Sequence, residues 1–152
     1  MARHPRWLKG FASNADLDAV AAAVSHAERG TAAEIRVHLD DRCAGDAMAR
    51  AIEIFERLHM HRTAERAGVL LYLAVTDHKV AVIGDTGIHQ RVGQGYWDGL
   101  VARVIGHLRE GHPREGLVGA VAELGAALSA HFPRRRDDRN ELSDRVSFDS
   151  DG

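Results

Sequence analysis

The sequence predicts one α/β domain, a small mixed sheet covered by helices on both faces in a three-layer α/β/α sandwich. Three observations lead there. The run Val69–Val75 is apolar on both of its faces, as a central strand covered on both sides must be. Only Thr76-Asp77-His78-Lys79 separates it from a second β-rich run at Val80–Ile83, too short a link for a helical crossover, so these two strands pair antiparallel. Upstream, the alternating run Glu34–Leu39 is joined to Val69–Val75 through a stretch of helical period. That unit reads as a right-handed crossover between parallel strands, and helices must then cover both faces.

Residues 1–12 read as an arm whose Trp7, Leu8 and Phe11 dock on the body. Ser13 or Asn14 caps a first helix, since either side chain accepts from an orphan backbone N–H. Leu17, Val20, Ala21, Val24 and Ala27 recur at helical spacing, and Gly30 stands where a left-handed cap suits glycine. In Glu34–Leu39, Ile35, Val37 and Leu39 point one way and Glu34, Arg36 and His38 the other, the pattern of a half-buried strand that Asp40 and Asp41 end. A second helix runs from about Asp46 to Leu58, with Met48, Ala51, Ile52, Phe55 and Leu58 inward. After the hairpin, Gly84–Gly95 reads as a glycine-rich, flexible loop. Trp97, Leu100, Val101, Val104, Ile105 and Leu108 then give a clean helical stripe ended by Gly111. Pro113 opens the last helix, where its missing N–H costs nothing. Leu117, Ala120, Val121, Leu124 and Leu128 carry that helix to Phe132-Pro133. The domain body is thus residues 13–133. Residues 134–152 form a polar tail that Leu142, Val146 and Phe148 pin in part to the body and that is otherwise disordered.

Composition narrows the function classes. Twenty Lys and Arg face 22 Asp and Glu, a net charge of −2, without the basic excess of a nucleic-acid binder. The one basic run, Arg134–Arg136, is cancelled by Asp137 and Asp138. Cys43 is the only cysteine, which rules out an internal disulfide and a cysteine-based zinc cluster. No apolar stretch approaches the roughly 20 residues of a membrane span, and the N-terminus has no apolar signal region. The expectation is a cytoplasmic protein with no membrane insertion.

Several segments, in order, resemble one family. Thr31–Leu39 is similar to the first strand of TPM domains, Gly68–Ala74 to their central strand, and Val80–Ile88 to their edge strand and the loop after it. Tyr96-Trp97 opens the next helix as in that family, and His131-Phe132-Pro133 closes the domain. The tail segment Asn140–Asp144 resembles a small bacterial subgroup. The resemblance spans roughly residues 13–148. It implies a Rossmann-like α/β/α sandwich, binding of Ca²⁺ or Mg²⁺ in some members, and phosphatase or nucleotide-hydrolysing activity in some. One departure matters: the family's Asn before the central-strand glycine is here Ala67, which offers a cation no donor.

The topology sorts the acidic residues onto two rims. Glu34 (start of strand one), Arg66 (before strand two) and Asp85 (after strand three) share one. Glu34 and Asp85 are candidate ligands for Ca²⁺ or Mg²⁺, hard ions that take oxygen donors. Arg66 is a candidate phosphate fork. The alternative is structural: a Glu34–Arg66 ion pair, with Asp85 shaping a turn. Asp40 and Asp41, with Asp77, share the opposite rim, where ligands of open α/β sheets favour the carboxyl ends of parallel strands. They are the second choice as ligands, against a solvated turn. The first rim ranks higher because its residues fall in the segments that carry the resemblance.

Other signals are weak. Gly84-x-x-Gly87 and Gly93-x-Gly95 lack the dinucleotide fingerprint spacing. His59 and His61, or His107 and His112, do not have the i, i+4 spacing of a helical metal pair. Asp149–Gly152 echoes only the start of a calcium loop, and Cys43 beside Asp40 and Asp41 is a poor nucleophile. Two functions follow: a Ca²⁺- or Mg²⁺-binding domain with phosphatase or nucleotide phosphohydrolase activity on a phosphorylated small molecule, or a non-catalytic module that binds a protein partner.

Overall fold

The computed structural model describes residues 6–8, 10–63, 65–134 and 146–148. Its elements run α1 (Asn14–Glu28), β1 (Glu34–Asp40), α2 (Ala47–Arg57), β2 (Gly68–Ala74), β3 (Lys79–Gly84), α3 (Thr86–Val92), α4 (Gln94–Arg109), α5 (Pro113–His131) and β4 (Ser147–Phe148), with short 3-10 turns at Arg6–Leu8 and Met60–Arg62. The sheet order is β3-β2-β1-β4. β1 pairs parallel with β2, Glu34 opposite Gly68 through Asp40 opposite Ala74, and β3 runs antiparallel to β2. The crossover and the hairpin are therefore as the hydrophobic pattern predicts.

Strand alternation sends side chains to two cores. Ile35, Val37, Leu39, Val69, Leu71 and Leu73 join the larger one with residues of α1, α4 and α5. Leu70, Tyr72, Ala74 and Ala81 join the smaller one with Ala51, Ile54 and Phe55 of α2. Helices thus pack on both faces, giving the α/β sandwich. Leu8 is buried, with Trp7 and Phe11 packed beside it. No helix among the described residues is long and apolar enough to cross a membrane.

Ser13 caps α1 through a reciprocal box: its hydroxyl accepts from the Asp16 N–H, and the Asp16 carboxylate accepts from the Ser13 N–H, both at 3.0 Å. Asp46 caps α2 and Asp85 caps α3 in the same sense.

Three expectations need correction. Gly30 is not a left-handed cap; among the described glycines only Gly93 and Gly111 have positive φ. The chain leaves α1 through tight turns, with the Gly30 N–H on the Ala27 carbonyl and the Thr31 N–H on that of Glu28. Gly84–Gly95 is not a flexible loop, because α3 fills most of it, anchored by fully buried Ile88. Glycine there serves close packing: a Cβ on Gly87 would stand 2.2 Å from the Glu65 carbonyl oxygen. β1 is not half-buried, since His38 and Asp40 on its second face are each 1% exposed. The tail supplies a fourth strand, with Val146 and Phe148 packed against the larger core. Leu142, the Asn140–Asp144 resemblance and Asp149–Gly152 lie outside the described residues.

Candidate functional site

The amino end of the β1–β2 pair gathers Glu34, Arg66 and Asp85. Glu34 lies opposite Gly68, and its N–H donates to the Ala67 carbonyl at 3.1 Å. On the other side of β2, the Asp85 N–H donates to the Gly68 carbonyl at 2.8 Å. The two acidic residues thus flank the same strand end, with β2 between them. Both are almost fully buried, at 3% and 6% exposure.

The structural pairing differs from the expected Glu34–Arg66 ion pair. Arg66 forks onto Asp85: Nε donates to Oδ2 at 2.7 Å and Nη2 to Oδ1 at 2.9 Å. Oδ1 also accepts the Thr86 N–H at 2.7 Å, which caps α3. The hydrogen bonds to Asp85, then its charge, make the guanidinium harder to deprotonate than usual. The fork is fixed from below. Arg66 holds a left-handed φ of 53°, and its carbonyl accepts from the Gly87 N–H at 2.9 Å. That contact is why residue 87 has no room for a side chain. Arg66 stays half exposed, so it can meet solutes, but forking onto a phosphate requires it to release Asp85.

These residues, as arranged, do not fit a hard cation. The Asp85 oxygens face a guanidinium and a backbone N–H, and Ala67 adds no donor. Among the described residues, no group of three or more His, Cys, Asp and Glu is arranged to hold a metal ion. His59 and His61 meet edge to face with ring centres 6.3 Å apart.

The opposite rim is built differently again. Asp40 is not part of a solvated turn but the centre of a buried network. Its Oδ1 faces His38 Nε2 at 3.1 Å, and its Oδ2 accepts from Arg50 Nε at 2.9 Å and from the Tyr72 hydroxyl at 2.7 Å. Burial alone would raise its carboxyl, but the bonds from His38, Arg50 and Tyr72 outweigh it and hold the pKa far below the ordinary range. Tyr72 shifts the other way: burial, then its bond to Asp40, pushes the phenol well above its usual value. The His38 and Tyr72 rings stack in parallel across β1 and β2, 6.2 Å apart.

Beyond Asp40, the β1–α2 loop is latched to the hairpin turn. Asp41 accepts from the Thr76 hydroxyl, and Asp77 Oδ2 accepts the Cys43 N–H at 2.8 Å. Lys79 Nζ donates to the carbonyls of Cys43 and Gly45, both at 2.8 Å. An ammonium group therefore already sits on two carbonyl oxygens of this rim.

His38 also reaches the tail. Its Nδ1 lies 2.7 Å from Ser147 Oγ on β4, so Ser147, His38 and Asp40 form one hydrogen-bonded line. Sequence reasoning missed this line. Its only local signal is His and Asp at i and i+2, on one face of one strand. Ser147 lies 109 positions from His38 and gives no signal of its own.

The fold is a small α/β sandwich with a four-stranded mixed sheet, the architecture that the TPM resemblance implies. The TPM domain family model matches residues 8–127, and the chain belongs to that family. Among solved structures, it is similar to the BA42 protein from the psychrophilic bacterium Bizionia argentinensis, at 34% identity and a TM-score of 0.84, covering 91% of this chain and 96% of that one. The N-terminal domain of a P. gingivalis protein aligns at 21% identity and a TM-score of 0.67, covering 84% of each chain. That of the cg2496 protein from Corynebacterium glutamicum aligns at 13% identity and a TM-score of 0.63, covering 89% of this chain and 90% of that one. These last two share the fold. No curated protein sequence matches the chain.

Proposed function

We propose that this TPM domain is a non-catalytic binding module. One observation carries the reading: the four aspartates placed at the two rims are built into the fold's own hydrogen bonds. Asp85 holds Arg66 and caps α3, Asp40 anchors His38, Arg50 and Tyr72, and Asp41 and Asp77 latch loops. A general base must be within reach of a substrate proton, and a metal ligand needs lone pairs turned toward the ion. Here both demands compete with structure. The test is hydrolysis of an aryl phosphate and of ATP with Mg²⁺, comparing wild type with Asp85→Ala. Equal background rates are expected; a rate that depends on Asp85 would overturn the reading.

A second reading keeps the cation. It is favoured by two nearly buried carboxylates, Glu34 and Asp85, flanking one strand end beside a half-exposed arginine. In this reading Ca²⁺ or Mg²⁺ displaces Arg66 from Asp85 and binds Glu34 and Asp85, leaving Arg66 for a phosphate group. An NMR titration with each ion separates the two readings. Saturable shifts confined to residues 31–36 and 84–90 support the cation at this rim. Shifts at 40–46 and 76–79 move it to Asp40 and Asp41. No saturable shift leaves the plain binding module.

A further inference from the structure

We propose that the outer edge of β1 is a docking site for an extended peptide of apolar–Ser/Thr–aromatic sequence, which Val146-Ser147-Phe148 occupies as a built-in competitor. This rests on the binding-module reading and names its partner class.

The edge is short and bounded. On its upstream side the Ile35 N–H donates to the carboxylate of Glu28 at 2.8 Å, which closes that position to strand addition. Beyond it, β4 adds in parallel, with Ser147 opposite His38 and Phe148 opposite Leu39. Parallel addition to a sheet edge is the geometry of peptide capture by strand augmentation, in which the backbone supplies affinity and alternate side chains supply specificity. Val146 and Phe148 pack on the larger core while Ser147 between them turns to the opposite face, to His38. The edge thus reads two apolar side chains and one polar one.

The polar position demands a hydroxyl. The Asp40 carboxylate can only accept, so His38 Nε2 carries the hydrogen at their 3.1 Å contact. His38 Nδ1 then lies 2.7 Å from a group that has to hydrogen-bond with it. A serine or threonine hydroxyl, which can donate or accept, satisfies this whichever way the bond runs, whereas alanine and valine remove the bond. The Ser147 hydroxyl donates to the Val37 carbonyl at 3.4 Å, so a group that donates there while meeting His38 Nδ1 fits the position, which a hydroxyl does.

Occupation by the chain's own tail fits competition. The segment belongs to the same chain as the edge it covers, so a partner strand meets an intramolecular competitor there. Among the described residues, β4 pairs with β1 at two positions. A partner strand of the same pattern that pairs over a longer stretch can therefore displace it.

The experiment uses full-length protein and a fluorescein-labelled peptide with the sequence of residues 145–150 as probe. Binding is read by fluorescence polarisation, and NMR spectra report folding and the location of shifts. Phe148→Asp is expected to unseat the tail and bind the probe at least about ten-fold more tightly than wild type, with shifts at residues 37–40. The same peptide with valine in place of its first serine is expected to bind at least about ten-fold more weakly. If Phe148→Asp does not fold, Ser147→Val, which keeps the apolar contacts, takes its place with the same expectation. No saturable binding by a folded variant, or equal binding of both peptides, overturns the proposal. So does a wild-type mass that doubles with concentration while the probe fails to bind, which would give the edge to a second copy. None of these results bears on phosphate-ester hydrolysis, so this proposal can fail while the binding-module reading stands.

Discussion

Asp40→Asn puts the buried network to a direct test. The substitution keeps the side chain's shape and removes its charge. In the wild type that carboxylate takes hydrogen bonds from Arg50 at 2.9 Å and Tyr72 at 2.7 Å and faces His38 at 3.1 Å, while 1% exposed. Hydrogen bonds to a charged group contribute about 1.5–3 kcal/mol each, and they are not additive in a shared network. Breaking a buried charged pair by removing one partner costs about 3–5 kcal/mol. Asn retains one acceptor oxygen, so the lower end applies, about 3 kcal/mol. For a chain of this size that corresponds to a fall in Tm of roughly 6–12 °C. The pH dependence gives a second signature. The folded pKa of Asp40 lies below its unfolded value of about 3.9. Its contribution is therefore fully present well above pH 4 and is lost as pH falls below about 4 toward the folded value. Urea unfolding at pH 7 and at pH 3 reads both effects: wild type loses stability between the two, and the Asn variant loses less. A cost below about 1 kcal/mol at pH 7, or equal acid slopes in the two proteins, would show that Asp40 does not hold the network.

Two further perturbations probe the rims. Gly87→Ala places a methyl 2.2 Å from a backbone oxygen and should destabilise by about 1–3 kcal/mol, whereas Gly106→Ala in α4 meets nothing within 4 Å and should stabilise by up to about 1 kcal/mol; thermal melts of both variants check the contrast. Lys79→Met removes the ammonium from the Cys43 and Gly45 carbonyls, and should cost about 1–3 kcal/mol and speed hydrogen exchange in residues 41–46 before the rest of the chain.

Where one side chain pattern decides an element, the sequence was legible. Seven consecutive apolar residues make β2 central, and the four-residue turn makes β3 its antiparallel neighbour. The periods of α4 and α5 needed only one apolar stripe each. α3 escaped because the glycines in and around it signal a loop, while the role of Gly87 is to let a helix lie against the Glu65–Arg66 backbone. That is a tertiary demand invisible in a local window. β4 escaped for a similar reason: two residues cannot establish a period, and their worth comes from His38 and Leu39, distant in sequence. At the candidate site, topology alone brought Glu34, Arg66 and Asp85 to one end of the sheet. The choice of Asp85 as the arginine's partner was beyond it. That choice follows from Arg66's left-handed backbone and the α3 cap, which turn both side chains toward one another.

The departure at Ala67 and the rim geometry point the same way. A site that has to hold a divalent ion needs oxygens that are uncommitted and preorganised, since every lone pair must be taken from some other donor before it reaches the metal. At one rim here a guanidinium already neutralises the acid, and at the other an ammonium bridges two loop carbonyls. Both cations belong to the chain, so the charge balance that a metal would supply is present without one. The surface proposed above for an outside partner is instead the β1 edge, which β4 covers here. There, among the described residues, Ser147 and Phe148 pair with β1 and the Ser147 hydroxyl meets His38. Binding specificity at that edge, as proposed, requires neither catalysis nor a metal, only His38 kept oriented and buried, and the Asp40 network holds it so.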